Sequence, residues 1–223
     1  ITAGPGTGKT YTLVQRAIYL IEECNVRPES IFIATFTEKA AKELVTRITN
    51  ELANRNITAN INEMYIGTFH SLCLRMLKEH LEYTRLRRNY RLMDSFDQQY
   101  MVFQNIHRFR SIPEIEIVLP NGGAWKQAET ICNFVNNLSE ELVSPEELMS
   151  DRDPSIASLG RMLQEYRTIL TEANLMDFSS IQIEAYRLLC DNEGILNELR
   201  SAITHIMVDE YQDTNYIQEQ LVF

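Results

Sequence analysis

The first ten residues, ITAGPGTGKT, constrain the fold of this chain more than any other stretch. They are typical of the end of a β-strand, a glycine-rich loop and the start of a helix. Glycines allow consecutive backbone N–H groups to turn toward an anion, and the N-terminus of the following helix adds partial positive charge. The segment therefore predicts a phosphate-binding loop.

Within this loop, Lys9 is expected to reach the β- and γ-phosphates of a nucleotide, and the Thr10 hydroxyl to ligate Mg²⁺. The first glycine of the usual motif is replaced by Ala3, which is small enough for the same position. A flexible linker is the alternative, but the Gly-Lys-Thr order and the apolar helix pattern behind it favour the loop. The residues predicted to contact the nucleotide are Ala3, Gly4, Pro5, Gly6, Thr7, Gly8, Lys9 and Thr10.

Length and composition narrow the class of protein. The chain has 223 residues, and no apolar run approaches the roughly 20 residues of a membrane helix. Because almost no residues precede the loop, we expect a segment of a longer protein. A net charge of −10 argues against binding nucleic acid by bulk attraction, so any such binding needs a local surface. The widely spaced cysteines favour reduced thiols in a cytoplasmic protein over disulfides or a zinc site.

Apolar strands alternate with amphipathic helices in both end segments, which predicts an α/β fold with a parallel sheet. Strands are predicted over 31–35, 64–68 and 205–209, and helices over 38–53, 70–81, 178–190 and 196–202.

The middle of the chain has a different pattern. At most one strand, near 91–93, is expected there, and helices are predicted over 96–109, 125–138 and 156–170. We therefore predict a core formed by 1–84 and 174–223, incomplete at both ends, with a mostly helical insertion at 85–173.

Two acids follow the last predicted strand. Asp209 and Glu210 should lie at the carboxyl end of that strand, on the sheet edge where the phosphate loop also lies. There Asp209 could hold Mg²⁺ opposite Thr10, and Glu210 could orient and deprotonate an attacking water. Adjacent acids are more often simply solvated, but the apolar strand and the phosphate loop favour a catalytic pair.

Two aromatic residues, Phe36 and Phe69, come just past the other strands. An exposed ring there could stack on a base for about 1–3 kcal/mol without sequence preference. The alternative is that both rings are core residues. Neighbouring polar side chains could contact phosphate oxygens. The predicted DNA-binding residues are Thr35, Phe36, Thr37, Lys39, Thr68, Phe69 and His70.

Four stretches together resemble the UvrD/Rep/PcrA type of superfamily-1 DNA helicase. The run DEYQDTN at 209–215 is similar to the Walker B motif of that family, and residues 3–10 to its phosphate loop. Residues 35–41 and 67–71 look like its two single-strand-binding motifs. Met176-Asp177-Phe178 falls where the family has an Asp-Phe element. The resemblance covers both ends of the chain and is weak across the insertion.

The resemblance implies the N-terminal, RecA-like ATP-binding domain of a helicase that uses ATP and Mg²⁺ and moves 3′ to 5′ on single-stranded DNA. Lys9, Asp209, Glu210 and Gln212 would be catalytic, and Gln212 and Asp213 would couple the nucleotide to the DNA loops. A second RecA-like domain, which supplies arginine fingers, is a partner absent from this chain. The chain alone is therefore expected to hydrolyse ATP very slowly.

Other classes of protein share some of these sequence features. A helicase subunit of a RecB/AddA-like nuclease shares these motifs. An ATPase-deficient DNA-binding or docking module is disfavoured because Lys9, Asp209 and Glu210 are all present. Small-molecule kinases are disfavoured by the Thr-Phe-Thr and Thr-Phe-His loops.

Two weaker features lie in the insertion. One is a set of basic residues, and such runs of charge more often form a solvated face than a DNA contact. The other is Trp125, which is expected to anchor the insertion's own core rather than stack on a base. The basic residues concerned are Arg85, Arg87, Arg88, Arg91, Arg108 and Arg110.

Overall fold

The computed structural model describes residues 8–119 and 121–222. The helices are α1 Lys9–Glu22, α2 Glu38–Asn54, α3 Phe69–Glu79, α4 Ser95–Gln104, α5 Ile106–Arg110, α6 Ala124–Glu140, α7 Pro145–Met149, α8 Pro154–Ala173, α9 Phe178–Asp191, α10 Glu193–Ala202 and α11 Tyr216–Val222. The strands are β1 Ile31–Thr35, β2 Tyr65–Thr68, β3 Arg91–Leu92, β4 Leu175–Met176 and β5 His205–Val208. None of the described helices is long and apolar enough to cross a bilayer.

The described residues divide into two units, each with its own core. The first, here the sheet unit, comprises 8–79, 187–214 and Val222; the second, the helical unit, comprises 80–186 and 215–221.

Among the described residues, three parallel strands in the order β2-β1-β5 organise the sheet unit. The central strand β1 is buried along its whole length, which accounts for its continuous apolar sequence. Thr35 pairs with Thr68, and Ala34 with Val208. Because the strands are parallel and in register, the loops that follow them lie along one edge of the sheet.

Amphipathic helices complete the sheet unit. Helix α2 buries Leu44 and Ile48 at helical spacing, and these pack with Ile18 of α1 and Ile33 of β1. The Thr37 side chain caps α2 by accepting a hydrogen bond from the Ala40 backbone N–H at 3.1 Å. Such capping explains why α2 begins directly after the β1 loop.

Side chains from α4, α5, α6 and α8 form the hydrophobic core of the helical unit. Val102, Phe109, Ile131 and Met162 are fully buried there. The two short strands β3 and β4 pair in parallel, which joins the start and end of the unit.

The predicted α/β class and parallel sheet are confirmed, and the predicted strands agree with β1, β2 and β5 to within one residue at each end. The helix predicted over 96–109 is instead divided into α4 and α5 at Asn105. The Asn105 side-chain amide donates to the Met101 carbonyl at 2.9 Å and competes with the helical backbone bonds there.

The helical unit is longer than the insertion predicted at 85–173. Strand β4, which the sequence pattern did not predict, keeps the chain after residue 173 in this unit by pairing with β3. Arg85 also forms an ion pair with Glu184 of α9 at 2.8 Å, which adds residues of α9 to the same unit.

Candidate nucleotide site and neighbouring loops

The first candidate site brings together the two ends of the chain. Lys9 is the first residue of α1, and Glu210 follows β5. The Lys9 ammonium Nζ donates to Glu210 Oε2 at 2.6 Å, across 201 residues of sequence. Gly8, just before Lys9, has φ +87°, a left-handed conformation that favours glycine. The sheet therefore places the lysine and the carboxylate in direct contact.

Glu210 is held by more than the lysine. Gln212 Nε2 donates to the same Glu210 oxygen at 2.7 Å. The hydrogen bond from Lys9, followed by that from Gln212, lowers the pKa of the Glu210 carboxyl. Glu210 also has a left-handed backbone, with φ +49°. Its carboxylate is therefore ionised at neutral pH and fixed in position.

Asp209 extends the pairing of β5 by one residue, since its backbone N–H donates to the Ala34 carbonyl at 2.9 Å. Its own Oδ1 accepts from the Glu210 N–H at 3.1 Å. Thr10 lies in the first turn of α1. A cavity of about 330 Å³ beside Asp209 and Glu210 is lined by the cations Lys9 and Arg16 from α1 and by residues 207–212.

The remaining residues predicted to contact the nucleotide lie outside the described ranges; they are Ala3, Gly4, Pro5, Gly6 and Thr7. Among the residues that the structure describes, no group of three or more His, Cys, Asp or Glu side chains could hold a metal ion. Any divalent cation here would depend on one or two protein oxygens plus phosphate and water, which is the coordination that Mg²⁺ usually adopts.

The two predicted DNA-binding loops follow β1 and β2. Phe36 is 38% exposed, as expected, whereas Phe69 is only 3% exposed. The expectation of an exposed Phe69 ring is therefore wrong. Helix α3 begins at Phe69, so this ring falls on its apolar face and packs with Phe32 and Leu72. The rings of Phe36 and Phe69 contact each other edge to face, with their centroids 6.4 Å apart.

Hydroxyl groups of both loops already have partners inside the protein. Thr35 is buried and donates to the Thr37 carbonyl at 3.1 Å. Thr68 is also buried, and its Oγ1 donates to Glu38 Oε1 at 3.0 Å. The sequence predicts that these two hydroxyls face solvent and donate to phosphate oxygens. In the structure both are buried and donate to protein oxygens instead. Sequence reasoning did not single out Glu38, because a lone glutamate at a helix start carries no signal of such a contact.

His70 and Lys39 differ in the charge that they can offer. Burial lowers the pKa of the half-buried His70, so its imidazole is neutral at neutral pH. Lys39 is exposed in the first turn of α2. Of the two, Lys39 supplies the positive charge.

Several arginines of the predicted basic patches pair within the helical unit. Arg91 contacts Asp97 at 2.9 Å, and Arg108 pairs with both Glu165 and Glu172. Arg85, as noted above, pairs with Glu184. These ion pairs neutralise much of the positive charge of the two basic patches within the protein itself.

Trp125 is not a core anchor, contrary to expectation. The residue is 41% exposed, and its ring contacts those of Phe96 and Phe103, with centroid distances of 5.9 and 5.5 Å. Both of those phenylalanines are exposed as well, so the tryptophan belongs to a surface aromatic cluster.

Asp177, in the Asp-Phe element, is buried and caps α9. Its Oδ1 accepts from the Ser180 N–H at 2.7 Å, while the Tyr166 hydroxyl and the Gln98 amide donate to Oδ2. The described contacts of this carboxylate are therefore structural.

Comparison with known proteins agrees with these motifs. The chain is 33% identical to the ATP-dependent DNA helicase SRS2 of Saccharomyces cerevisiae, over all of this chain and 19% of that protein. It is 31% identical to DNA helicase II of Escherichia coli K12, over 98% of this chain and 28% of that protein. It is 30% identical to the ATP-dependent DNA helicase Rep of Buchnera aphidicola subsp. Baizongia pistaciae, over all of this chain and 31% of that protein.

The chain thus spans less than a third of the length of these relatives. The model of the UvrD/REP helicase N-terminal domain matches residues 1–223, which is the entire chain. The predicted resemblance is confirmed, and the chain belongs to the UvrD/REP helicase N-terminal domain family.

Proposed function

We propose that this chain is the RecA-like, ATP-binding part of an ATP-dependent DNA helicase that moves 3′ to 5′ along single-stranded DNA in the cytoplasm. The observation that carries the proposal is the 2.6 Å contact between Lys9 and Glu210 at the carboxyl edge of the sheet. Proteins named ATP-dependent DNA helicases are among its relatives, which supports the same function.

The charges of the residues at the sheet edge suit a nucleoside triphosphate. Lys9 and Arg16 provide positive charge beside the cavity, and the N-terminus of α1 adds its partial charge. Thr10 and Asp209 would hold Mg²⁺ together with phosphate and water oxygens. A bound Mg²⁺ would neutralise charge that develops on the phosphates.

Glu210 is the proposed general base. It must be ionised to accept a proton, and its contact with Lys9 favours that state. When the phosphates attract Lys9, the carboxylate is released to orient a water, while the Gln212 amide still holds one of its oxygens.

The same sheet edge would carry the DNA. Phe36 is the proposed stacking ring, and Lys39 the proposed phosphate contact. The family resemblance supports the proposal that Gln212 and Asp213, which lie in the 3₁₀ turn after Glu210, couple the nucleotide to these DNA contacts. A second RecA-like domain in the longer protein would supply arginine fingers, so this chain alone should turn over ATP slowly.

Nucleotide binding tests the first half of the proposal. A fluorescent ATP analogue with Mg²⁺ should bind the 223-residue chain, and Lys9→Ala should weaken binding about 10- to 150-fold, the value of one hydrogen bond to a charged group. Lys126→Ala, which removes an exposed lysine of the helical unit, is the matched control and should leave the affinity unchanged. Equal affinities of the two variants would contradict the site.

Fluorescence anisotropy with a labelled thymidine oligonucleotide tests the second half. The chain should bind in a salt-dependent way, and Phe36→Ala should weaken binding about 5- to 150-fold through loss of base stacking. Absence of salt-sensitive binding by the unmodified chain would rule out the proposed DNA surface. ATP turnover within tenfold of a full-length relative would contradict the need for a second domain.

A further inference from the structure

We infer that Glu38 is a positioning residue for single-stranded DNA, because it ties the loop after β1 to the junction of β2 and α3 through Thr68. The inference rests on the proposed function, in which Phe36 of that loop and Lys39 at the start of α2 form the DNA surface.

The sheet register places the two residues within reach. Strands β1 and β2 are parallel, with Thr35 opposite Thr68. Glu38 is the first residue of α2, three residues after the end of β1, and Thr68 is the last residue of β2. Thr68 Oγ1 lies 3.0 Å from Glu38 Oε1. One hydrogen bond therefore joins the start of one helix to the end of the neighbouring strand.

Thr68 has a single hydroxyl proton, and the surrounding contacts indicate where it points. The Ser71 N–H donates to Thr68 Oγ1 at 3.2 Å, and the Ser71 hydroxyl donates to the Thr68 carbonyl at 2.9 Å. The possible acceptors are Glu38 Oε1 and Ser71 Oγ, at 3.0 and 3.1 Å. A carboxylate is the stronger acceptor, so the proton goes to Glu38. Thr68 therefore positions the loop instead of contacting a phosphate.

The close turn around Thr68 depends on Gly67. A Cβ atom at this position would lie 2.4 Å from Ser71 Oγ and 3.4 Å from Leu72 Cγ. Glycine at position 67 therefore leaves room for the Ser71 hydroxyl where it donates to the Thr68 carbonyl.

The exposed Phe36 ring lies on the segment that these bonds restrain. Thr35 donates to the Thr37 carbonyl on one side, and Glu38 accepts from Thr68 on the other. The buried Phe69 ring supports Phe36 edge-on. Ordering a loop before binding reduces the entropy lost on binding, so the contact should increase DNA affinity.

Glu38 also has an opposing effect, since its negative charge lies beside Lys39 on a surface proposed to meet phosphates. Glu38→Gln and Glu38→Met both remove the charge and have side chains of similar length. Only glutamine retains an oxygen that can accept the Thr68 proton. Comparing these two variants therefore isolates the hydrogen bond from the charge.

The experiment measures the affinity of each variant of the 223-residue chain for a labelled thymidine oligonucleotide by anisotropy, at several salt concentrations. Glu38→Met should bind about 3- to 10-fold more weakly than Glu38→Gln, the effect of one hydrogen bond. In a Thr68→Val background this difference should disappear. Nucleotide affinity should be the same in all variants.

Equal DNA affinities of Glu38→Gln and Glu38→Met would overturn the inference while leaving the proposed function intact, provided that the unmodified chain binds DNA. Absence of binding by the unmodified chain would overturn both. If Glu38→Met lowers the unfolding temperature, Glu38→Ala replaces it in the comparison with Glu38→Gln. Persistence of the difference in the Thr68→Val background would show that Glu38 acts through another group.

Discussion

Gly160 of α8 packs directly against α7, and replacing it with alanine should destabilise the helical unit. A Cβ atom at Gly160 would lie 2.7 Å from the Met149 backbone nitrogen and 2.8 Å from both Leu148 Cβ and the Pro145 carbonyl oxygen. None of these atoms can rotate away. Ordinary contact starts at 3.4 Å, so these atoms of α7 would have to move by about 0.6–0.7 Å.

The magnitude follows from two opposing effects. Alanine favours a helix interior over glycine by about 1 kcal/mol. Overpacking costs about 1–3 kcal/mol, and three rigid contacts place Gly160→Ala at the upper end of that range. The net loss should therefore be about 2 kcal/mol, which corresponds to a fall of about 4–8 °C in unfolding temperature for a chain of this size.

Urea and thermal unfolding, followed by far-UV circular dichroism and by tryptophan fluorescence, would measure this loss. Trp125 is the single tryptophan of the chain and lies in the same unit as Gly160. Gly194→Ala in α10 is the matched control, because nothing lies within 4 Å of the added Cβ. It should raise stability by up to about 1 kcal/mol. The reasoning is refuted if Gly160→Ala is as stable as the unmodified chain.

Three further substitutions test other contacts. Tyr166→Phe removes a donor from the buried Asp177 carboxylate and should cost about 1–3 kcal/mol in urea unfolding; an unchanged midpoint would contradict the hydrogen bond. Burial lowers the pKa of His70, so the unfolded state takes up the proton first as the pH falls. The free energy of unfolding should therefore drop more between about pH 7.5 and about pH 5.5 in the unmodified chain than in His70→Gln, and equal drops would refute the assignment. Thr37→Ala removes the cap on the Ala40 N–H and should cost about 1 kcal/mol, measured by thermal unfolding against Thr37→Ser, which keeps the cap.

One part of the candidate nucleotide site, the contact between Lys9 and Glu210, could be predicted from the sequence because the two residues carry separate local signals. Lys9 follows a glycine-rich loop, and Glu210 follows an apolar strand. Parallel strands place their carboxyl ends on one edge, so the meeting of these residues could be expected before their 2.6 Å contact was seen. The αL backbone of Glu210 and the Gln212 contact had no such local signal.

In the predicted DNA-binding segments, local sequence patterns do not predict which aromatic side chains are exposed. Phe36 and Phe69 have similar sequence surroundings, each after a strand and beside a threonine, yet only Phe36 is exposed. The difference depends on where α3 begins and on which side of it faces β1, which a pattern of apolar residues does not resolve to a single position. Trp125 was misplaced for the same reason, since its exposure depends on how α4 and α6 pack.

The sequence by itself determined the strands other than β4, most of the helices, the parallel sheet and the family, because periodicity and short motifs depend on neighbouring residues. Tertiary structure alone decided the extent of the helical unit, the burial of Phe69 and the bond between Glu38 and Thr68. These features arise from contacts between residues far apart in sequence. Their geometry depends on packing and register, which exist only once the chain has folded.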